Sequence, residues 1–186
     1  MTLGEEKKEL RRKVLNERRR LFSDVVEEDS TVICEKLLTE TEILKCDKIC
    51  LYMPINNEVD VKLIFDRLLS LGKEIYIPKV CGQEIIFYLY EGQESLAVGS
   101  FGIMEPTSGK ELEADENTFV VLPGAVFSRE RDRVGYGGGF YDRFMKKHPG
   151  IKNAAVCYDL QIYVKIPAGK HDIKPDMIIT EKEIIR

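Results

Sequence analysis

Several residue types are scarce or absent in this sequence of 186 residues, and each absence excludes a class of protein. There is no tryptophan, and the two histidines have no cysteines at metal-ligand spacing around them, so a zinc site is not expected. The five cysteines form no C-x-x-C pair, and because their number is odd at least one cannot join an intramolecular disulfide. We therefore expect reduced thiols and not a disulfide-stabilised secreted fold.

Long apolar runs and a strong basic charge are also missing. No run approaches the length of a membrane helix, and the N-terminal segment is charged from Glu5 onward, so neither membrane insertion nor secretion is expected. The formal net charge of −4 argues against general binding to nucleic acid. We predict a cytoplasmic protein in which residues 1–186 form a single domain, because 44% of the residues are hydrophobic and no long linker interrupts them.

Helical and strand-like patterns alternate along the chain. Helices are predicted over residues 5–22, 30–44, 59–71 and 140–147, with Ser30 as a cap and Gly72 closing the third helix. Apolar runs typical of strands cover residues 48–53, 74–78, 85–90, 118–122, 154–158 and 177–180. This alternation predicts a three-layer α/β/α sandwich with a mainly parallel, Rossmann-like open sheet, in which ligand loops follow the carboxyl ends of the strands.

The most informative segment is a glycine-rich stretch, Arg-Val-Gly-Tyr-Gly-Gly-Gly-Phe-Tyr-Asp, at positions 133–142. Four of its five central positions are glycine, so the backbone can adopt positive φ angles and direct its N–H groups at an anion. The helix predicted after it would add the positive end of its dipole, while Arg133 can pair with phosphate and Asp142 can hold Mg²⁺. The alternative is an ordinary glycine-rich turn. No G-x-x-x-x-G-K-[ST] motif is present, so the stretch is not a P-loop.

Two further groups of residues suit a bound nucleotide or heterocycle. Lys7 and Arg11 lie four residues apart in the first predicted helix, where they share a face that suits a terminal phosphate, although a solvated face is the commoner reason for such a pair. Glu58 follows the first predicted strand, where a carboxylate can accept N–H groups from a heterocycle; the alternative is that it merely begins the next helix. The arginine run at positions 18–20 is interpreted as surface.

The glycine-rich stretch closely resembles the signature R-L-G-Y-G-G-G-Y-Y-D-R of the 5-formyltetrahydrofolate cyclo-ligase family, also called 5,10-methenyltetrahydrofolate synthetase. Val134 and Phe140 depart from it, and Phe140 lacks the hydroxyl of the family's tyrosine. The spacing of the Lys7 and Arg11 pair, the loop around Glu58 and the pattern around Phe101 are similar to other motifs of the family. The segment H-D-I-K-P-D-M-I-I-T-E at positions 171–181 resembles its closing motif, H-D-x-x-x-D-x-[IV]-[IV]-T-E.

The resemblance implies an ATP-dependent ligase that converts 5-formyltetrahydrofolate into 5,10-methenyltetrahydrofolate, with release of ADP and phosphate, through a phosphorylated formyl group. It implies catalytic roles for Lys7 and Arg133, and it implies that Asp142 and Asp176 hold Mg²⁺. The ATP site that it implies consists of Lys7, Lys8, Glu9, Leu10, Arg11, Arg133, Val134, Gly135, Tyr136, Gly137, Gly138, Gly139, Phe140 and Tyr141, and the folate site consists of Met53, Glu58, Phe101 and Tyr136.

Alternatives stay open for single residues and for the whole chain. Packing in the core is the alternative to stacking of Phe101 on a pterin, and His171 and Asp172 are interpreted as a local cap or turn. The two small-molecule substrates are the expected partners, without nucleic acid or membrane, and a monomer is expected. A nucleotide- or RNA-binding protein that does not consume ATP and a folate-binding paralogue without turnover are the two competing functions.

Overall fold

A mixed sheet with helices on both faces forms the centre of the protein in the computed structural model, which describes residues 2–169 and 172–186. The helices are α1 (Leu3–Arg18), α2 (Ser23–Thr39), α3 (Thr41–Lys45), α4 (Phe65–Ser70) and α5 (Phe140–Lys147). The strands are β1 (Lys48–Cys50), β2 (Glu74–Cys81), β3 (Glu84–Leu89), β4 (Leu96–Val98), β5 (Met104–Pro106), β6 (Thr118–Leu122), β7 (Val126–Ser128), β8 (Arg133–Val134), β9 (Lys152–Val156), β10 (Ile162–Tyr163), β11 (Met177–Ile179) and β12 (Ile184–Ile185). None of the helices in the described chain is long and apolar enough to span a membrane.

The central sheet of the described chain contains seven strands in the order β12-β11-β9-β6-β1-β2-β3. The five inner strands are parallel, and the edge strands β3 and β12 run antiparallel to their neighbours. Chain order runs outward towards both edges from the central pair β1 and β6. A crevice opens at the carboxyl ends of the strands at such a switch point. The predicted α/β class with a mainly parallel sheet is confirmed.

Alternate residues of the inner strands face two different helical layers. Ile49 and Val121 join a buried cluster that contains Leu37 of α2 and apolar residues of α3 and α4. Their chain neighbours Cys50 and Leu122 join a second cluster with Phe144 and Met145 of α5 on the opposite face. Strands that are buried on both faces are typical of parallel sheets, and each fully buried aliphatic side chain contributes about 1.5–3 kcal/mol.

Helix α1 packs outside the central sheet, against a small sheet in which the strand order is β10-β7-β8. Val14 of this helix is fully buried and joins a cluster with Ala125, Val126 and Val134. Because β8 ends at Val134, this packing places α1 beside the glycine-rich stretch that follows β8.

Several boundaries differ from the predictions for local reasons. The second helix begins at Ser23, so Ser30 is not a cap; it is buried within α2, where its hydroxyl accepts the N–H of Asp60 at 2.9 Å. The helix predicted over residues 59–71 is a 3₁₀ turn, Val61–Ile64, followed by α4, and Gly72 closes it with a φ of +75°. The strand over residues 118–122 and the helix over residues 140–147 have the predicted bounds.

Candidate active site

A cavity of about 560 Å³ lies at the carboxyl ends of β1 and β6. Met53 shortly after β1 and Pro123 directly after β6 both line it, so the cavity occupies the crevice at the switch point of the sheet. The predicted site residues that line it are Lys7, Arg11, Met53, Glu58, Phe101, Arg133, Val134, Gly135, Tyr136, Gly137, Gly138, Gly139, Phe140, Tyr141 and Asp142.

The glycine-rich loop connects β8 to α5 along one wall of this cavity. Gly137 has a φ of +102°, and Gly139, which precedes α5, has a φ of +66°, in a region that residues with a side chain rarely adopt. A Cβ atom at Gly137 would lie 3.1 Å from Nη1 of Arg11, and one at Gly138 would lie 2.5 Å from the ring of Phe140. The absence of side chains at these positions therefore lets Arg11 and Phe140 pack directly against the loop at the amino end of α5.

Arg133 enters this loop as a buried side chain, of which only 4% is exposed. Its Nη1 donates to the carbonyl oxygen of Pro123 at 3.0 Å, and its Nη2 donates to Oδ1 of Asp142 at 2.8 Å. Its Nε is buried and has no hydrogen-bond partner among the described residues. An unsatisfied buried donor costs about 1–3 kcal/mol, so an anionic ligand that supplied an acceptor would relieve this cost.

Lys7 and Arg11 lie on successive turns of α1 and both reach the cavity, so they are not simply part of a solvated face. Nε of Arg11 donates to the carbonyl oxygen of Gly135 at 2.7 Å, and Nζ of Lys7 donates to the carboxylate of Asp172. Partial burial lowers the pKa of Arg11. Arg11 thus contacts the glycine-rich loop, and Lys7 places a second cationic side chain in the same cavity beside Asp172.

Three residues that the resemblance assigned to the ATP site do not line the cavity: Lys8, Glu9 and Leu10. Lys8 and Glu9 are exposed, and Leu10 packs against the cluster around Val14. Residues four apart share a helix face and their immediate neighbours do not, so the geometry of α1 directs only Lys7 and Arg11 into the cavity.

Asp142 and Asp176 do not form a common site, contrary to the implied metal pair. Asp142 lines the cavity, whereas Asp176 precedes β11 at the amino end of the parallel strands and is exposed. Oδ2 of Asp176 accepts the backbone and side-chain N–H groups of Asn153, at 3.0 and 3.2 Å. Asp176 therefore ties β11 to β9, and the length of the strand separates it from the cavity.

Asp172, four residues before Asp176, is the aspartate of the closing motif that lines the cavity. It closes a local turn by accepting the N–H of Gly169 at 2.6 Å, but it also lines the cavity and pairs with Lys7. Its sequence neighbour Ile173 donates its backbone N–H to Oδ1 of Asp142 at 3.0 Å. Besides Glu58, the carboxylates that line the cavity are therefore Asp142 and Asp172. His171, which precedes Asp172 in the closing motif, lies outside the described residues.

Each of these two carboxylates keeps one oxygen without a hydrogen bond to the described residues. Oδ1 of Asp142 takes both of its bonds, from Arg133 and Ile173, and Oδ2 of Asp172 takes both of its own. Mg²⁺ is commonly held by one or two carboxylates together with phosphate oxygens and water. No group of three or more His, Cys, Asp or Glu side chains in the described chain could hold a metal alone. The arrangement therefore fits Mg²⁺ that arrives with a phosphate ligand.

Glu58 also lines the cavity and is 6% exposed. Oε2 accepts the backbone N–H of Ile55 at 2.9 Å, and Oε1 accepts the hydroxyl of Tyr136. Burial raises the pKa of Glu58, while Arg18 and the hydrogen bond from Tyr136 lower it. Glu58 does not begin a helix, because the next 3₁₀ turn is capped by Asp60, whose side chain accepts the N–H of Lys62 at 3.1 Å.

An apolar wall adjoins Glu58 and suits a flat heterocycle. Met53, Val80 and Ile103 line it, and Phe101 stands at its rim. Phe101 is 75% exposed and has a φ of +58°, so the alternative of a core position is wrong. Its ring lies edge-on to that of Phe140, with 6.5 Å between the centroids. An exposed ring at a cavity rim is available to stack on a ligand.

Arg18 is the residue that sequence reasoning missed. It was interpreted as surface, yet only 1% of it is exposed, and its Nη1 donates to the hydroxyl of Tyr136 at 2.8 Å. A signal was present in the spacing: residues 7, 11, 14 and 18 recur on one helix face, the face that contains the buried Val14. The charge run at positions 18–20 obscured it.

The fold and the cavity together define an α/β protein with a glycine-rich loop and cationic side chains at a largely apolar pocket. The model of the 5-formyltetrahydrofolate cyclo-ligase family matches residues 3–181, and the chain belongs to this family.

Relatives with solved structures share the whole fold. The NMR structure of the Aquifex aeolicus 5,10-methenyltetrahydrofolate synthetase is 37% identical, with a TM-score of 0.85, and the match covers 97% of this chain and 92% of that one. The 5,10-methenyltetrahydrofolate synthetase of Mycoplasma pneumoniae is 26% identical, with a TM-score of 0.78, over 94% of this chain and 98% of that one. The probable 5-formyltetrahydrofolate cyclo-ligase of Schizosaccharomyces pombe is 28% identical over 90% of this chain and 91% of its own length.

Proposed function

We propose that this chain catalyses the ATP-dependent conversion of 5-formyltetrahydrofolate into 5,10-methenyltetrahydrofolate, with release of ADP and phosphate. The observation that carries the proposal is that the cationic glycine-loop wall and the apolar wall with Glu58 belong to one cavity. A phosphate donor bound at the first wall and a folate bound at the second would have their reacting atoms side by side. Family membership supports the same reaction.

In this proposal, the ATP phosphates bind between α1 and the amino end of α5. Lys7, Arg11 and Arg133 neutralise their charge, and the backbone N–H groups of the glycine-rich loop hold the oxygens. The free donor of Arg133 supports this role because it has no acceptor among the described residues. Asp142 and Asp172 hold Mg²⁺, which supplies further neutralisation of the phosphate charge when it is bound.

The pterin of the folate binds against the apolar wall. Glu58 accepts N–H groups of the heterocycle, Met53 contacts its face, and Phe101 stacks on it from the rim. The hydroxyl of Tyr136 already donates to Glu58 and so belongs to the folate side of the cavity. Its backbone belongs to the glycine-rich loop, so Tyr136 adjoins both substrates.

The chemistry that we propose needs positioning more than a protein nucleophile. The formyl oxygen attacks the γ-phosphorus, the bond from this phosphorus to the bridging oxygen breaks, and ADP leaves. N10 then attacks the carbon of the resulting N5-iminium phosphate, its proton is released, and the carbon–oxygen bond breaks with departure of phosphate. In-line transfer of this kind depends on alignment and charge neutralisation, which Lys7 and Arg133 provide.

We further propose that residues 1–186 act as one cytoplasmic domain without a protein partner. The family model matches nearly the whole sequence, and the chain spans more than nine-tenths of the relatives described above. The substrates are two small molecules.

The decisive experiment incubates the purified chain with 5-formyltetrahydrofolate and MgATP and follows the ultraviolet absorbance of the methenyl product. We expect absorbance to rise only when ATP is present, with one ADP formed for each product molecule. Tight folate binding without product would instead identify a paralogue without turnover. ATP binding without folate binding would identify a nucleotide-binding protein.

A further inference from the structure

Arg18 has the least exposed charged side chain in the described part of the protein, with 1% exposure. It lies in the last turn of α1, eleven residues beyond Lys7, and it does not line the cavity. A buried guanidinium requires compensation for its lost hydration. The groups that provide this compensation indicate what the residue does.

All three nitrogens of the Arg18 guanidinium donate to groups around Glu58. Nε donates to the carbonyl oxygen of Asn56 at 3.1 Å, and Nη2 donates to that of Ile55 at 3.5 Å. Nη1 donates to the hydroxyl of Tyr136 at 2.8 Å and lies 4.0 Å from Oε1 of Glu58. The guanidinium carbon also lies 5.7 Å from the centroid of the Tyr136 ring, within the range of a cation–π contact.

The loop between Pro54 and Glu58 depends on the end of α1 in return. Asn56 and Asn57 have φ angles of +50° and +57°, a conformation that needs support from its surroundings. The side-chain amide of Asn57 donates to the carbonyl oxygens of Arg18 and Leu21, at 3.3 and 3.2 Å. This reciprocal set of bonds fixes the loop that contains Glu58.

We propose that Arg18 is a positioning residue of the folate site, which acts as the counter-ion of Glu58 and orients both the Glu58 loop and the hydroxyl of Tyr136. The inference rests on the proposed function, because it assigns Glu58 to the pterin. Arg18 itself touches neither substrate. Its contribution reaches the ligand through the carboxylate and the phenol.

The charges around Glu58 give the proposal a pH signature. Arg18 is the cation that lowers its pKa, the hydroxyl of Tyr136 and the N–H of Ile55 lower it further, and burial raises it. Burial and, after it, the charge of Glu58 raise the pKa of Tyr52 and of Tyr141, so both phenols remain neutral. Without Arg18 the pKa of Glu58 rises. As the pH falls, the carboxylate of a variant without Arg18 would therefore become protonated at a higher pH than in the wild type. Folate binding would be lost at that higher pH.

The test compares Arg18→Met with Arg19→Met, a neighbouring arginine whose side chain is exposed. Binding of 5-formyltetrahydrofolate and of ATP is measured by calorimetry across a range of pH. We expect Arg18→Met to weaken folate binding at least about tenfold, as for the loss of a charge-assisted hydrogen bond, and to leave ATP binding within about twofold. Its acid limit for folate binding should move to higher pH. Arg19→Met should match the wild type in every measurement.

Two conservative variants make the test independent of the stability of Arg18→Met. Arg18→Lys keeps the charge but loses the planar fork, so it should weaken folate binding while its acid limit stays near that of the wild type. Tyr136→Phe keeps the ring and removes the hydroxyl. In a double variant with Arg18→Met or Arg18→Lys, the loss of folate-binding free energy should be smaller than the sum of the two single losses, because the two residues act through one hydrogen bond.

Wild-type folate affinity and an unshifted acid limit in a folded Arg18→Met would overturn the proposal. If Arg18→Met does not fold, wild-type folate affinity in both Arg18→Lys and Tyr136→Phe overturns it instead. The wild-type chain is measured in parallel, and its failure to bind or convert folate would count against the proposed function and not against the role of Arg18.

Discussion

The chemical character of Glu58 and Tyr136 comes from burial as much as from residue type. Burial and the charge of Glu58 raise the pKa of Tyr136, so its phenol stays protonated and donates. In the same environment, burial raises the pKa of Glu58 and the cation of Arg18 lowers it, which favours the charged, accepting form. The sequence predicted Glu58 as a candidate ligand from its position after a strand. It could not reveal the environment, because Arg18 and Tyr136 come from segments 118 residues apart.

The first prediction concerns the charge of Glu58. Glu58→Gln keeps the shape of the side chain and removes the charge that we propose accepts pterin N–H groups. Folate affinity should therefore fall about ten- to a hundredfold while ATP affinity changes little. Burial raises the pKa of Glu58, so wild-type folate binding should weaken, as the pH falls, at a higher pH than for an exposed glutamate. This acid limit should be absent in the variant.

Calorimetric titration of each substrate at several pH values checks this prediction. Glu35→Gln, at an exposed position of α2, serves as the control and should bind both substrates like the wild type. If Glu58→Gln loses more affinity for ATP than for folate, the assignment of this loop to the folate site is wrong.

The second prediction tests the glycine cradle. Gly137→Ala introduces a Cβ atom 3.1 Å from Nη1 of Arg11 at a position with a φ of +102°. We expect turnover to fall at least about tenfold, equivalent to about 1.4 kcal/mol, because the methyl group crowds Arg11, the proposed phosphate ligand, and strains the loop. The fold should survive, since no core residue changes.

Gly150→Ala provides the matched control, because Gly150 has a φ of +91° and a Cβ atom added there would have no heavy atom within 4 Å. It carries the same kind of backbone strain outside the cavity. Steady-state rates and thermal unfolding of both variants separate strain from loss of the cradle. Equal and full ATP-dependent turnover in both would mean that Gly137 merely forms a turn.

At the level of elements, α1 serves both halves of the cavity from one face. Arg11 contacts the glycine-rich loop, and Lys7 pairs with Asp172 in the same cavity. Further along the helix, Val14 packs on the small sheet and Arg18 donates to the loop that contains Glu58. The spacing of Lys7 and Arg11 was readable from the sequence. The burial of Arg18 was not, because α1 docks through tertiary packing against β7 and β8. An arginine run looks the same in the sequence whether one member is buried or all are solvated.

The third prediction separates the two faces of α1. Lys7→Ala and Arg11→Ala should each raise the KM for ATP about ten- to a hundredfold and leave the KM for folate nearly unchanged, since each removes a charge-assisted contact to phosphate. Lys8→Ala and Arg12→Ala, on the exposed face, should have wild-type constants. Initial rates with each substrate varied in turn provide the check. Unchanged ATP kinetics in the Lys7 and Arg11 double variant would mean that this pair has no role in ATP binding, as expected for an ordinary solvated helix face.

At the level of the whole molecule, the sequence predicted the strands of the central sheet that have strong local patterns. Residues 118–122 are a buried β-branched run, and they form β6 with those bounds. Strands β7, β8, β10 and β12 contain two or three residues each and were not predicted, because so short a segment becomes a strand only when its partner is adjacent. The hydrophobic periodicity of a segment does not show which strand will lie beside it in the folded protein.

Local sequence patterns also could not show that Asp172, and not Asp176, lies in the cavity. Both belong to one motif only four positions apart, and either carboxylate suits a hard cation. Which of them reaches the cavity depends on where the chain turns into β11. Lys7 and Asp172, 165 positions apart in the sequence, meet only because the C-terminal segment passes α1 before it enters the sheet.

The last prediction distinguishes these two aspartates. Asp172→Asn should weaken MgATP binding about tenfold and raise the Mg²⁺ concentration required, because it removes a carboxylate charge from the cavity and releases Lys7. Asp176→Asn should bind MgATP like the wild type and lose only about 0.5–1.5 kcal/mol of unfolding free energy, through its bonds to Asn153. ATP titrations at several Mg²⁺ concentrations and denaturant unfolding measure both effects.

Lys7→Ala controls for the released lysine: it should weaken ATP binding without changing the Mg²⁺ requirement. If Asp176→Asn alters that requirement and Asp172→Asn does not, the metal belongs to the amino end of the sheet and the assignment of Mg²⁺ to Asp142 and Asp172 is wrong.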